Sequence, residues 1–383
     1  MFFEKILHDP LQLYLYIAFV AFFIVQMIYY WGIFSLFAFL KNKNANQSEE
    51  VLPVSVVVCA RNEFYNLEKN LPKILEQDYP DFEVVVVNDQ SEDDTAELLM
   101  DLSRKYKRLK IITVQKNLNN FSGKKFSLSL GIKSAQHDVV LLTDADCEPV
   151  SSLWIKNMQM PFSNPRTKIV LGYGAYERRK GLLNSLIRFD TFTIALQYFS
   201  LARAGLPYMG VGRNLAYRRS LFLENKGFVS HYEISSGDDD LFVNSNATRK
   251  NTSIVYTGES HTLSQPKLKF NDWVFQKKRH FTTGKYYKFV HKVLLVLLPF
   301  STLTFYLLAV ILTLLNIKTY TIVIVSSFFI VRVTSQLIIF KKAMLKLKEK
   351  KLFLLSPFFE VIMIFFNVLT KLTNTGKKIN TWK

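Results

Sequence analysis

An α/β domain bracketed by membrane-crossing helices is the fold class this sequence predicts, and three observations carry it. Between Val51 and about Val290, short apolar runs alternate with segments of helical period, as in a parallel sheet covered by helices. Leu11 to Leu40 holds no charged side chain and exceeds the roughly 20 apolar residues that cross a bilayer. Three more apolar stretches, Phe289 to Asn316, Tyr320 to Phe340 and Leu352 to Leu369, close the chain.

Taken in order, Leu11 to Leu40 reads as a span; a cleaved signal peptide would have a shorter apolar core and a small-residue cleavage site. Lys41 and Lys43 follow it, whereas Lys5 is offset by Glu4 and Asp9, which puts the next region in the cytoplasm. Residues 1–41 are thus an anchor and 42–50 a polar linker. Strands are expected at Val54 to Cys59, Glu83 to Val87, Lys110 to Val114, Val139 to Thr143 and Lys168 to Leu171, with helices at Asn66 to Gln77, Asp93 to Tyr106 and Lys125 to Ala135. Ligands of such sheets sit beyond the carboxyl ends of the strands. Three segments fall there: Ala60-Arg61-Asn62-Glu63, Asn88-Asp89-Gln90-Ser91 and Asp144-Ala145-Asp146.

The third segment stops an apolar run at two carboxylates. Hard cations such as Mg²⁺ or Mn²⁺ take oxygen ligands from carboxylates and substrate phosphates, so Asp144 and Asp146 are candidate metal ligands; the alternative is a polar turn. Asp89 ends an all-valine run, where its carboxylate can accept from a base or ribose, or cap the following helix. Lys124 follows Gly123 in an expected loop and offers a compact positive charge, unless it is a solvated surface lysine.

Leu182 to Leu206 mixes apolar residues with Arg188, Asp190 and Arg203, which suits either a helix at the membrane surface or one buried in the domain. Gly210 to Ser220 combines glycines that permit close backbone approach with a short strand pattern and a possible helix cap at Ser220. Asp238, Asp239 and Asp240 run into an apolar helix start. Such acids are favoured there by the helix dipole, and one could equally be the general base that deprotonates an alcohol. Gln276 and Arg279, at i and i+3, can share one helix face.

These segments resemble, in order from about Val54 to Tyr286, the family 2 glycosyltransferases, enzymes of the GT-A (Rossmann-like) fold that use nucleotide sugars. The residues carrying the likeness are V-S-V-V-V-C-A-R-N-E, L-E-Q-D-Y-P-D-F-E-V-V-V-V-N-D-Q-S-E-D-D-T, S-G-K-K-F-S-L-S-L-G-I and L-L-T-D-A-D-C-E-P. The resemblance implies a GT-A domain over 51–288, with Ala60, Asn62, Glu63 and Asp89 holding the nucleoside and Lys124 approaching the diphosphate. It implies that Asp144 and Asp146 bind sugar nucleotide and metal. The family's base is the Asp of an E-D or D-D pair after Gly: registering on Gly237 selects Asp239, registering on Leu241 selects Asp238, and Asp239 is preferred narrowly. Gln276-Lys277-Lys278-Arg279-His280 resembles the family's Q-x-x-R-W, which implies that Gln276 and Arg279 meet diphosphate and acceptor. His280 stands where the family has Trp, and imidazole offers less area for stacking on a sugar, which argues against a processive synthase.

A net charge of +18 over 383 residues could serve nucleic acid, lipid or a phosphorylated substrate. No nucleic-acid motif accompanies it, and the basic residues cluster beside the apolar segments, eight Lys/Arg against one Asp between Lys267 and Lys292. The expected partners are therefore membrane lipids, a nucleotide diphosphate sugar with a UDP-sugar favoured, and a lipid-linked or glycan acceptor. Cys59 and Cys147 have no metal-ligand spacing, and the sequons at Asn46, Asn246 and Asn251 are chance matches in a cytoplasmic region.

Residues 289–372 would form two to three membrane helices and 373–383 a basic tail. The loop K-K-A-M-L-K-L-K-E-K-K should be cytoplasmic, so the chain leaves at the second span and returns at the third. A crossing by Leu352 to Leu369 would leave Lys371, Lys377, Lys378 and Lys383 outside against that bias; Pro357 and Glu360 allow a re-entrant or interfacial helix instead. Arg332, inside a span, should face a partner or snorkel. The functional expectation is an inverting, metal-dependent glycosyltransferase of the inner (cytoplasmic) membrane. Alternatives are a processive polysaccharide synthase and a non-catalytic nucleotide-sugar-binding regulator, and retention of both acidic motifs speaks against the regulator.

Overall fold

The computed structural model describes residues 10–41, 50–115, 123–234, 236–315, 317, 319–349 and 352–374. Lys5, Lys43, Asn46, nearly all of the expected linker and Lys377, Lys378 and Lys383 of the expected tail lie outside them. Helix α1 (Pro10–Ala38) leads, with a π-helical stretch at Ile28–Phe34. The sheet core then alternates β1 (Val54–Ala60), α2 (Phe64–Leu75), β2 (Phe82–Asp89), α3 (Thr95–Lys105), β3 (Leu109–Val114), α4 (Lys124–Ser134) and β4 (Val139–Asp144). Each expected strand and helix of this half is present within two residues.

Strands β1, β2 and β4 are buried almost throughout because helices cover both faces, which is why they read as unbroken valine and leucine runs. On one face α4 lies so close that a Cβ at Gly131 would sit 2.6 Å from Val57 Cγ1 and 2.9 Å from Val87 Cγ2. Register aligns the strand ends: Cys59 pairs with Asp144, and Ala60 with Asn88. The three candidate segments therefore share one edge.

The second half corrects the all-parallel expectation. After β5 (Cys147–Pro149), α5 (Trp154–Gln159), β6 (Ile169–Leu171), β7 (Gly174–Tyr176) and α6 (Leu182–Arg203), strand β8 (Leu215–Arg218) inserts antiparallel between β4 and β6. The main sheet runs β3-β2-β1-β4-β8-β6-β9, where β9 is Thr252–Ile254, and β5, β10 (Thr262–Ser264) and β7 form a separate three-stranded sheet. The chain continues through α7 (Arg219–Glu224), α8 (Asp240–Asn246), β9, β10 and α9 (Phe270–Phe281). Ser220 does not cap α7. Asp138 does that work from the neighbouring loop, its carboxylate accepting from Ser220 N–H at 2.8 Å and its carbonyl from Arg219 N–H at 2.6 Å.

Helix α6 is the buried alternative rather than a surface helix. Two of its three charges are paired inside the protein, Arg188 with Glu349 and Asp190 with Lys277 at 2.9 Å, while Arg203 at its end is exposed. Its aromatic residues meet the apolar helices, Phe199 stacking on Phe37 and Phe192 meeting Phe340 edge-on.

Among the described residues, three helices are long and apolar enough to cross a membrane: α1, α10 (Phe289–Leu315) and α11 (Thr319–Lys346). Phe19 stacks on Phe305 while Tyr29 Oη donates to the Leu294 carbonyl, so α10 runs antiparallel to α1. Tyr16 bonds Thr321 and Trp31 bonds Ser335, so α11 runs parallel to it. Helix α12 (Ser356–Leu372), 17 residues long, is not among them. It packs on the α/β domain through Phe359 against Phe189 and Phe366 stacked on Trp273 at 4.4 Å.

Candidate active site

Local structure at the sheet edge begins with two loops that brace each other. Asn62 and Gln90 follow β1 and β2 with φ of 55° and 56°, a left-handed turn that Asn tolerates better than most residues. Asn62 Oδ1 accepts from Glu92 N–H at 2.8 Å, Ser91 Oγ accepts from Asn62 N–H at 3.0 Å, and Thr95 Oγ1 accepts from Glu63 N–H at 3.1 Å. Asn62 thus shapes the wall with its own side chain. Burial pushes the Glu63 carboxyl up to about 7, with Asn66 pulling it down and Asp146 and Asp144 adding to the rise. Burial likewise raises Asp89, against the pull of Arg61.

Lys124 is neither in a loop nor a solvated surface side chain. It is the first residue of α4, after Gly123 at φ 114°, and its ammonium bonds Asp144 and lies 3.5 Å from Asp238. One cation therefore ties the end of β4 to the acidic segment before α8. Lys125 points the other way, donating to the His231 and Ile234 carbonyls at 2.6 and 2.8 Å and fixing the backbone that leads to Asp238.

Asp144, Asp146 and Cys147 bring ligand atoms within 4.8 Å of one another. The thiol is a poor third donor: it shares a hydrogen with Ser264 Oγ at 2.8 Å, and burial beside Asp146 and Asp144 holds it protonated. The carboxylates remain, and hard divalent cations prefer them. Burial and the neighbouring Asp144 charge both push Asp146 up, a repulsion that a cation would relieve, whereas Lys124 holds Asp144 down against its own burial. The donor set fits Mg²⁺ or Mn²⁺.

The three acids before and at the start of α8 have separate tasks. Asp240 is buried and accepts from Thr283 Oγ1 at 2.5 Å and Tyr287 Oη at 2.6 Å, which anchors the domain's last turn. Asp239 caps α8, with Oδ1 accepting from Asp240 N–H and Oδ2 from Gly212 N–H, each at 2.7 Å. Burial, Asp238 and Asp240 push its carboxyl up to about 7, and the two N–H bonds pull it down. Asp238 faces Lys124 instead.

On α9, Gln276 Nε2 donates to Tyr176 Oη at 3.1 Å, and the Arg279 charge reaches Asp144. Sequence reading passed over Arg213. Its guanidinium lies 4.2 Å from the Tyr176 ring centroid and its charge acts on both Asp144 and Asp146. Its nearest hydrogen-bond acceptors, the Ala175 carbonyl and Ser264 Oγ, are 3.4 Å away. The G-x-G beside it was the available signal, read for its glycines alone.

Residues 55–224 match the family described as Glycosyl transferase family 2. A poly-beta-1,6-N-acetyl-D-glucosamine synthase of Staphylococcus epidermidis is 30% identical over 136 residues, 33% of this chain and 32% of that protein. Glycosyltransferase AglE of Haloferax volcanii is 26% identical over 192 residues, 48% of this chain and 58% of that protein. The matches thus span about a third to somewhat over half the length of these curated relatives. In fold, the chain is similar to the mannosyltransferase PcManGT from Pyrobaculum calidifontis, solved in complex with GDP-Man and Mn²⁺. The TM-score is 0.62 at 17% identity, covering 94% of this chain and 99% of that one.

Proposed function

We propose that this chain, which belongs to glycosyl transferase family 2 through residues 55–224, is a membrane-bound inverting glycosyltransferase. It moves a sugar from a nucleotide diphosphate sugar to a lipid-linked or glycan acceptor. The observation that carries the reading is Lys124 between Asp144 and Asp238, which joins a donor-side carboxylate pair to a candidate base in one continuous site.

In this reading Ala60, Asn62, Glu63 and Asp89 form the nucleoside edge, and Lys124, Arg213, Gln276 and Arg279 surround the diphosphate. Asp144 and Asp146 hold the divalent cation, which supplies Lewis-acid stabilisation of the diphosphate charge. Mn²⁺ in the complex of the similar mannosyltransferase supports that cation class. Asp239 removes the acceptor hydroxyl proton as that oxygen attacks the anomeric carbon from the face opposite the leaving diphosphate. A base works best with a pKa near the operating pH, which favours Asp239, raised to about 7, over Asp238 beside an ammonium. Residues 51–288 are the catalytic domain, facing the cytoplasm. The apolar helices α1, α10 and α11 hold it at the inner membrane.

A single transfer per encounter is favoured over processive synthesis, because His280, in the last turn of α9, stands where an indole would have given a growing glycan a stacking face. Purified protein incubated with UDP-, GDP- and CDP-sugars and Mn²⁺ or Mg²⁺ should hydrolyse one of them slowly. Asp146→Asn should abolish this, and Asp239→Asn should retain nucleotide-sugar binding with turnover sharply reduced. Binding without turnover across the panel, with and without lipid acceptors, would leave only the regulator.

A further inference from the structure

Away from the catalytic cluster, a cavity of 490 Å³ opens where α1 and α11 meet the α/β domain, lined among others by Ala38, Tyr256, Lys342, Leu345, Lys346 and Lys348. Glu259 is the acid in its lining, set against three lysines. Glu349, next in sequence to Lys348, is already bonded to Arg188 and to Tyr173 Oη. The pocket is therefore cationic.

The lysines are placed by specific local structure. Lys346 is pinned, its ammonium donating to the Leu40 carbonyl and lying 5.3 Å from the Tyr256 ring centroid. Lys348 has φ of 58°, a left-handed turn costly for a residue with a Cβ, which folds the chain back after α11. Its side chain then crosses Gly258, where an added Cβ would lie 2.4 Å from Lys348 Cε. Lys342 and Lys348 remain exposed.

The ligand follows from the position. α1 and α11 are apolar enough to cross a bilayer, and their domain-side ends meet at this pocket, which in a bundle crossing a bilayer is where the headgroups lie. Tyr is favoured at that depth, and clustered lysines there attract anionic lipid. Leu345, 65% exposed beside the lysines, offers apolar surface to an acyl chain. We infer that this pocket holds the phosphate headgroup of an anionic membrane phospholipid, fixing the depth at which the catalytic domain sits. The inference rests on the membrane reading of the apolar helices and not on glycosyl transfer; flotation of the wild-type chain with liposomes tests that premise separately.

Native mass spectrometry of the full chain in detergent, supplied with equal phosphatidylglycerol and phosphatidylcholine, reads the site directly. The wild type should retain phosphatidylglycerol preferentially. The double variant Lys342→Gln/Lys348→Gln should lose about fivefold in that retention per lysine, with phosphatidylcholine unchanged. Lys342→Arg/Lys348→Arg should restore the preference, which separates charge from folding. Equal retention by the wild type and the Gln variant, or no preference for phosphatidylglycerol in the wild type, would overturn the proposal. Displacement of the lipid by equimolar sn-glycerol 3-phosphate would also overturn it, by assigning the pocket to a soluble phosphate ester.

Discussion

Asp239 sits between opposing influences: two backbone N–H groups stabilise its charge, while burial and two adjacent carboxylates destabilise it more. Only the ionised form can accept a proton, so kcat/KM should fall about tenfold per pH unit below about 7 and level off above it. Asp239→Asn should lower kcat by about 10² to 10⁴ and remove that limb, measured as a pH–rate profile on the preferred nucleotide sugar. Arg213 makes a second test. Removing a charged hydrogen-bond donor costs about 1.5–3 kcal/mol, so Arg213→Ala should reduce kcat/KM for the donor about 10- to 100-fold, with Arg213→Lys intermediate. The acids were legible in the sequence because carboxylates at strand ends and before a helix are patterned by neighbours in the chain. Arg213 was not. Its partners Tyr176, Asp144 and Asp146 come from other elements, and no local period records that meeting.

At the scale of elements, the first half of the α/β domain was readable because each βαβ unit writes its own periodicity. Strand β8 was harder: its four residues lie antiparallel to β4 from a distance of about seventy residues in sequence, and strand order is not a local property. Helix α6 stood between two readings in the sequence, since Arg188 and Asp190 suit a wet face as well as buried ion pairs. Both are buried with their counter-ions, and a buried charge whose partner is removed costs about 3–5 kcal/mol. Arg188→Met should therefore strongly lower the thermal midpoint in detergent, because Glu349 is left buried and unpaired. Arg188→Met/Glu349→Leu should recover most of the loss, since two apolar side chains can replace a buried pair at little cost. Equal melting of the single and double variants would show that the pair does not act as a unit.

Across the whole molecule, α12 is tied to the apolar helices by a buried cluster around Arg332. Its guanidinium donates to Gln26 Oε1 at 2.9 Å on α1, to Gln336 Oε1 at 2.6 Å on its own helix, and to Glu360 on α12. Arg332 thus faces partners rather than snorkelling, and Glu360, which made a crossing by this segment doubtful, is its counter-ion. Helix α12 is 17 residues long, roughly 26 Å at 1.5 Å per residue, short of a hydrocarbon core of about 30 Å. Its end returns to the α/β domain: Asn374 Nδ2 donates to the Lys278 carbonyl at 3.0 Å, and Lys278 Nζ to the Thr373 carbonyl at 3.1 Å. That contact sets Asn374, the last described residue, against α9 of the α/β domain. The two native thiols are buried, so a single introduced cysteine can report sidedness. In sealed vesicles, Asn374→Cys should react with a membrane-impermeant maleimide under the same conditions as a cysteine at exposed Tyr65, and a cysteine at Ile317, between α10 and α11, only from the opposite side. Labelling of Asn374→Cys together with Ile317→Cys would mean that α12 crosses the membrane and that its packing on α9 is lost there.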